Sequence, residues 1–119
     1  MADSKMLNEA KDFAVSIIEI CRVIRERRKE GALTSQLIRS GTSIGANIYE
    51  SKYGQSTADF ISKMKIALKE CYETEYWLEI LHKSDCITEE EYKPLANKCG
   101  QIRRMLISSI NTSKKKCDE

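Results

Sequence analysis

His82 is the one histidine of the 119-residue chain, and it closes the segment Glu79-Ile80-Leu81-His82. Glu-x-x-His sets a carboxylate and an imidazole on one helix face, which is metal-ligand spacing. A dinuclear carboxylate bundle needs two such copies and two further glutamates. The chain has one copy, near a helix end, so no metal is expected. An Arg-x4-His pair for cleaving RNA also fails, because Trp77 stands where the arginine would be. Glu73 and Glu75 could do acid–base work only with a second catalytic group in a cleft. Glu75 borders an apolar stripe, where a buried carboxylate must be paired; Arg22 and Arg39 are its reachable partners. The five cysteines, Cys21, Cys71, Cys86, Cys99 and Cys117, are odd in number and form no C-x-x-C pair. Neither a disulfide framework nor a zinc site is indicated. Cys21, Cys71 and Cys99 fall on helical apolar stripes and read as small core residues. No grouping makes a catalytic, cofactor or metal site, so the chain reads as a non-enzyme.

The other stretch that could do chemistry is "IRSGTSIGANIYES", residues 38–51, crowded with small side chains. Each mid-helix Gly costs about 1 kcal/mol relative to Ala, so the glycines need a reason. A phosphate-binding loop is excluded: Gly41-x-x-x-Gly45 has no following Lys-Ser/Thr and no preceding strand. Both glycines instead lie one turn apart on one helix face, the spacing that lets two helix backbones approach. In a hairpin turning at "YGQS", Gly41 lies level with Ala67. The expected close contact is therefore between the second and third helices, at Gly41, Gly45 and Ala67.

The elements that position these residues are legible from periodicity. A first helix is expected over about 4–29, with Met6, Ala10, Phe13, Ile17, Ile20 and Ile24 on its inner face and Gly31 as its stop. A second runs over about 34–51, opened by Thr34 or Ser35, with Leu37, Gly41, Ile44 and Ile48 inward. A third spans 57–83, starting at Ser56 or Thr57, with Phe60, Met64, Ala67, Cys71, Leu78 and Leu81 inward. The fourth, over 88–112, opens with Thr88 as N-cap and Glu91 as its capping-box partner. Pro94, one turn inside, should kink it or detach its first turn. The tail 113–119 is expected to fray. Four amphipathic helices, short loops and no period-2 segment predict one domain over 1–119. The fold class is all-α, an up-down-up-down antiparallel four-helix bundle. No apolar run approaches the ~20 residues of a membrane span, and no signal peptide precedes the first helix. A cytoplasmic protein with reduced thiols and no membrane partner is expected.

"LTSQLIRSGTSIGANIYES" followed by "DFISKMKIALKECYETEYWLEIL" resembles the four-helix-bundle family labelled S23 ribosomal protein. That family is encoded within intervening sequences of bacterial 23S ribosomal RNA genes. It also includes the accessory variability determinant of diversity-generating retroelements. Its helix-two pattern is Arg, two small residues, then x-Ser-Ile-Pro-Ala-Asn-Ile-x-Glu-Gly. Arg39, Ser43, Ile44, Ala46, Asn47, Ile48 and Glu50 match; Gly45 stands where Pro is usual, and Ser51 where Gly is usual. On helix three, Phe60, Ile66, Ala67, Leu68, Glu73, Glu75 and Leu78 match. The resemblance implies a homopentameric ring and an association with ribosomal RNA or other nucleic acid. For the retroelement members it implies a reverse transcriptase as partner.

Charge position adds to this. The net charge is only +2, so charge alone does not mark a nucleic-acid binder. The first hairpin concentrates Arg22, Arg25, Arg27, Arg28, Lys29 and Arg39. The second carries Glu70, Glu73, Glu75, Glu79, Asp85, Glu89, Glu90 and Glu91. A basic and an acidic hairpin complement each other head-to-tail, and head-to-tail contacts that close give rings. Tyr76, Trp77 and Ile80 form an extra apolar face on helix three, suited to the centre of such an interface. The leading expectation is a non-enzymatic oligomeric bundle that binds RNA or DNA through backbone phosphates. Arg22, Arg25, Arg28 and Lys29 are candidates at one end, unless subunit pairing consumes them. At the other end stand Lys52, Lys63, Lys65, Arg103, Arg104, Lys114, Lys115 and Lys116. No RNA-reading aromatic motif is present, so any specificity should come from shape. The alternative is a protein-binding adaptor ring, for a reverse transcriptase for example, with no nucleic-acid affinity of its own.

Overall fold

The computed structural model describes residues 4–118; Met1–Asp3, Glu119 and the side chains of Ser4, Cys117 and Asp118 lie outside the described residues. Four helices follow in order: α1 (Ser4–Arg28), α2 (Ala32–Ser51), α3 (Thr57–Lys83) and α4 (Glu89–Asp118). The described residues contain no strand. At about 1.5 Å per residue, α4 alone is about 45 Å long, close to the 52 Å length of the molecule.

Neighbouring helices run in opposite directions. On α1 and α2, Gly41 faces Ile17 while Gly45 faces Ala10. On α2 and α3, Arg39 reaches Glu70 while Glu50 reaches Lys63. On α3 and α4, Cys71 meets Cys99 while His82 meets Glu89. On α4 and α1, Lys98 pairs with Glu9 while Arg27 pairs with Glu91. In each pair, later residues of one helix meet earlier residues of the other. The diagonal pairs α1–α3 and α2–α4 bring no Cα atoms of the described residues within 8 Å of each other, and the buried side chains of all four helices form one central core.

That core holds the inward stripes. Phe13, Ile17, Ile24, Leu37, Ile44, Ile48, Met64, Leu78, Leu81, Ile102 and Leu106 are wholly or almost wholly buried. Cys21, Cys71 and Cys99 lie among them. Burial raises the Cys21 thiol to about 11 despite nearby Arg25. The Cys99 thiol is also raised, first by its contact with Cys71 and then by burial. Both stay as thiols at neutral pH. Ile20 is only half-buried, and Cys21 takes its place at the centre.

Helix ends differ from expectation where side chains compete with backbone preference. Ser56 caps α3 by accepting from the Asp59 amide at 3.1 Å. The Thr88–Glu91 box forms in both directions, at 2.8 and 3.1 Å. α2, however, starts at Ala32, with Gly31 as its N-cap in ordinary helical geometry. Thr34 and Ser35 do not cap; their hydroxyls bond back to the Glu30 and Gly31 carbonyls. The Glu30 carboxylate accepts from the Leu33 amide instead. The left-handed residue that ends α1 is not Gly31 but Lys29, at φ 53°. A Cβ is strained there, so Lys29→Gly is expected to stabilise the fold by about 1 kcal/mol, read as a rise of a few degrees in melting temperature.

α4 is continuous through Pro94, which neither splits it nor detaches its first turn. Being near the N-terminus, Pro94 removes one intrahelical bond, and Glu90, which would have accepted it, is solvent-exposed. The helix also continues to Asp118 rather than stopping near 112.

Gly41 and Gly45 face α1, which corrects the expected contact with Ala67 of α3. A Cβ on Gly41 would lie 3.0 Å from Ile17 Cγ2, and one on Gly45 would lie 3.5 Å from Ala10 Cβ. Ala67 is buried, as expected. The seam between α2 and α3 is instead marked by a buried polar pair, Thr74 Oγ1 donating to Ser40 Oγ at 2.9 Å.

Candidate nucleic-acid interface

The two ends of the bundle treat their basic side chains differently. At the α1–α2 and α3–α4 turns, most cations are engaged within the chain. Arg25 Nε donates to Thr34 Oγ1 at 3.0 Å. Arg28 donates to the Asp85 carbonyl at 2.6 Å, and Arg27 to the Cys86 carbonyl at 3.2 Å. Asp85 sits at φ 61°, so these arginines hold a strained turn. Arg27 also grips Glu91 through two bonds, at 3.0 and 2.8 Å. Arg39 bridges to Glu70 and Glu73. The basic and acidic hairpins thus satisfy each other inside one chain. Of the candidates at this end, Arg22 and Lys29 keep exposed side chains with no hydrogen-bond or ion-pair partner among the described residues.

Glu91 shows how firm this contact is. The Arg27 guanidinium, together with the Thr88 amide, lowers its carboxyl from 4.5 to about 2. A carboxylate depressed in the folded state stabilises fully above its unfolded pKa and loses that contribution as pH falls through its folded one. We therefore expect Glu91→Gln to lower the melting temperature at pH 7. The difference from the parent should narrow between pH 4.5 and 2, where Glu91 itself becomes protonated. Thermal melts across that range check it.

The opposite end is built from the N-terminal part of α1, the α2–α3 turn with the first turns of α3, and the second half of α4, from Arg104 on. Here Lys52, Lys65, Arg104, Lys114, Lys115 and Lys116 are exposed and have no ion pair among the described residues. Arg104 separates two open grooves on α4, one reaching Met6 and Met105, the other Asn111 and Lys115. Two candidates here are occupied. Lys63 pairs with Glu50 at 2.7 Å. Arg103 Nε donates to Glu75 at 2.9 Å, with its guanidinium 5.9 Å from the centre of the Tyr72 ring. The partner of Glu75 is therefore Arg103, not Arg22 or Arg39. Arg39 is taken by Glu70 and Glu73, and Arg103 reaches Glu75 from α4.

The expected aromatic face is divided. Trp77 leans on the core, half-buried, and its indole donates to Glu73 at 2.9 Å. Tyr76 packs edge-on against it at 5.0 Å and stays 57% exposed; Ile80 is half-buried. Periodicity does not mark the exposed tyrosines Tyr49 and Tyr53. For Tyr49 and Tyr53, the available signal was their four-residue spacing at the end of a helix.

Among the described residues, no group of side chains is arranged to hold a metal ion, and no helix is long and apolar enough to cross a membrane. No curated protein matches the chain. A crystal structure from Bacteroides thetaiotaomicron, described as a protein of unknown function from the S23 ribosomal protein family, is 45% identical. The alignment covers 93% of this chain and 99% of that one, with a TM-score of 0.90. The family model for 23S rRNA-intervening sequence proteins matches residues 2–108. With that match over nearly its whole length, the chain belongs to the 23S rRNA-intervening sequence protein family.

Proposed function

We propose that this protein is a non-enzymatic, cytoplasmic helical module that binds RNA or DNA by its phosphates, through the surface formed by the α2–α3 turn and the second half of α4. The observation that supports this reading is the contrast between the two ends. Arg104, Lys114, Lys115 and Lys116, with Lys52 and Lys65, face solvent without carboxylate partners, while most arginines of the other end are bonded internally. Uncompensated positive charge on one surface attracts a polyanion and binds it without reading sequence. Membership in a family described by ribosomal RNA makes structured ribosomal RNA the first ligand to try. Purified protein would be titrated against such a labelled fragment at two salt concentrations, with duplex DNA as competitor. Affinity that falls steeply with salt is the expected result. No binding at low salt would overturn the reading.

A second reading has its own observation. Exposed Tyr76 beside half-buried Trp77 and Ile80 is the kind of aromatic surface that protein partners use. It suits a homopentameric adaptor ring that docks a protein such as a reverse transcriptase. Because the hairpin charges close internally, such a ring would rest on this apolar face rather than on head-to-tail ion pairs. Tyr76→Asp should then lower the sedimentation coefficient; an unchanged value removes Tyr76 from the interface.

A further inference from the structure

Two tyrosines at the basic end face solvent. Tyr53 is 70% exposed and Tyr49 is 48% exposed. Tyr49 lies in the last turn of α2, and Tyr53 follows four residues later in the turn beyond it. Their ring centroids are 5.5 Å apart, with planes inclined at 55°.

The surroundings are charged rather than apolar. Lys11 of α1 places its ammonium 5.9 Å from the centre of the Tyr49 ring. Lys52, between the tyrosines in sequence, is exposed without an ion pair. Of the carboxylates around Tyr53, Glu50 is paired with Lys63 at 2.7 Å, while Asp59 accepts from the neutral Gln55 amide at 3.1 Å and keeps its charge. Asp12, next to Lys11 on α1, is exposed. Contact with Tyr49 raises the Tyr53 phenol above its ordinary value.

Exposed rings beside unpaired lysines suit one ligand chemistry in particular. An unpaired nucleotide offers a flat base and an anionic phosphate together, whereas a duplex keeps its base faces stacked inside. Proteins that hold single strands combine stacking rings with a positive surface that follows the backbone. A protein partner would favour an apolar rim, and here the rim is charged, with Lys11 and Lys52 free of ion pairs among the described residues. We propose that Tyr49 and Tyr53 form a stacking platform for unpaired bases of single-stranded RNA or DNA, with Lys11 and Lys52 on the adjoining phosphates. This rests on the nucleic-acid reading above and names the form of nucleic acid preferred.

The test compares labelled oligo-uridine and oligo-thymidine with a duplex of the same length. The variants are Tyr53→Phe and the double substitution Tyr49→Ala/Tyr53→Ala. Both positions are exposed, and thermal melts check that each variant is folded. The double variant should lose about tenfold or more in affinity for the single strands and less than twofold for the duplex. Tyr53→Phe, which keeps the ring, should bind like the parent. Equal losses on single strand and duplex, or no loss on single strands, would overturn the platform while leaving the nucleic-acid reading standing. A parent protein that binds neither polymer would overturn the nucleic-acid reading itself. An altered sedimentation coefficient with unchanged single-strand affinity would assign the tyrosines to a subunit contact and also overturn the platform.

Discussion

Gly41→Leu is expected to destabilise the bundle by about 3 kcal/mol, at the upper end of what overpacking usually costs. The added Cβ alone would sit 3.0 Å from Ile17 Cγ2 and 3.1 Å from Cγ1. Ile17 is completely buried, and a β-branched side chain on a helix has almost one rotamer available, so it has nowhere to turn. The rest of the leucine would need α1 and α2 to separate. That cost is a large part of the 5–15 kcal/mol that holds an ordinary domain together. Gly45 provides the contrast. A Cβ there meets Ala10 Cβ at 3.5 Å, an ordinary contact, so Gly45→Ala should gain helix propensity worth up to about 1 kcal/mol. Urea denaturation of the two variants checks both signs. Equal effects would mean that the α1–α2 seam does not discriminate between its glycines.

The second large effect concerns binding. Reversing two charges, Arg104→Glu with Lys115→Glu, should weaken RNA and DNA binding by about tenfold or more. The loss should be similar for all sequences, because phosphate contacts carry no sequence information. The slope of log affinity against log salt should fall by about two, one for each contact removed. Arg22→Gln, at the opposite end, is the control and should leave the affinity unchanged. Arg103→Gln should behave differently again, because Arg103 is the partner of half-buried Glu75. Its effect belongs mainly in thermal stability. Fluorescence anisotropy at several salt concentrations separates these outcomes; a loss confined to one sequence would show that α4 reads bases.

The helices and their inward faces were legible because burial follows a 3.6-residue period. Phe13, Ile44, Met64 and Ile102 each declared themselves by their neighbours three and four residues away. The capping box at Thr88 and Glu91 was legible for a similar reason, since both partners lie within one turn. What was not legible depends on rotation of one helix against another. The spacing of Gly41 and Gly45 says that something comes close but does not say whether α1 or α3 arrives. Long side chains hide their partners in the same way: Glu75 is reached from α4 by Arg103, 28 residues on. Lys29 in a left-handed turn was hidden because Gly31, two residues later, offered the cheaper stop. The candidate site was partly legible. Its lysines were visible as a run, but which cations remain available depends on the internal pairing of Arg25, Arg27, Arg28 and Arg39. Tyr49 and Tyr53 carried little signal as letters; their exposure is a property of the fold.

Trp77 is the single tryptophan of the chain, and its indole is tied to Glu73, which in turn holds Arg39 of α2. The molecule therefore carries its own optical reporter at the seam between α2 and α3. Sliding of these helices would free the indole from its carboxylate and shift its emission. A partner covering Tyr76 would shield it from a soluble quencher. Assembly, docking and unfolding can be told apart on the unlabelled protein by the colour and accessibility of one side chain.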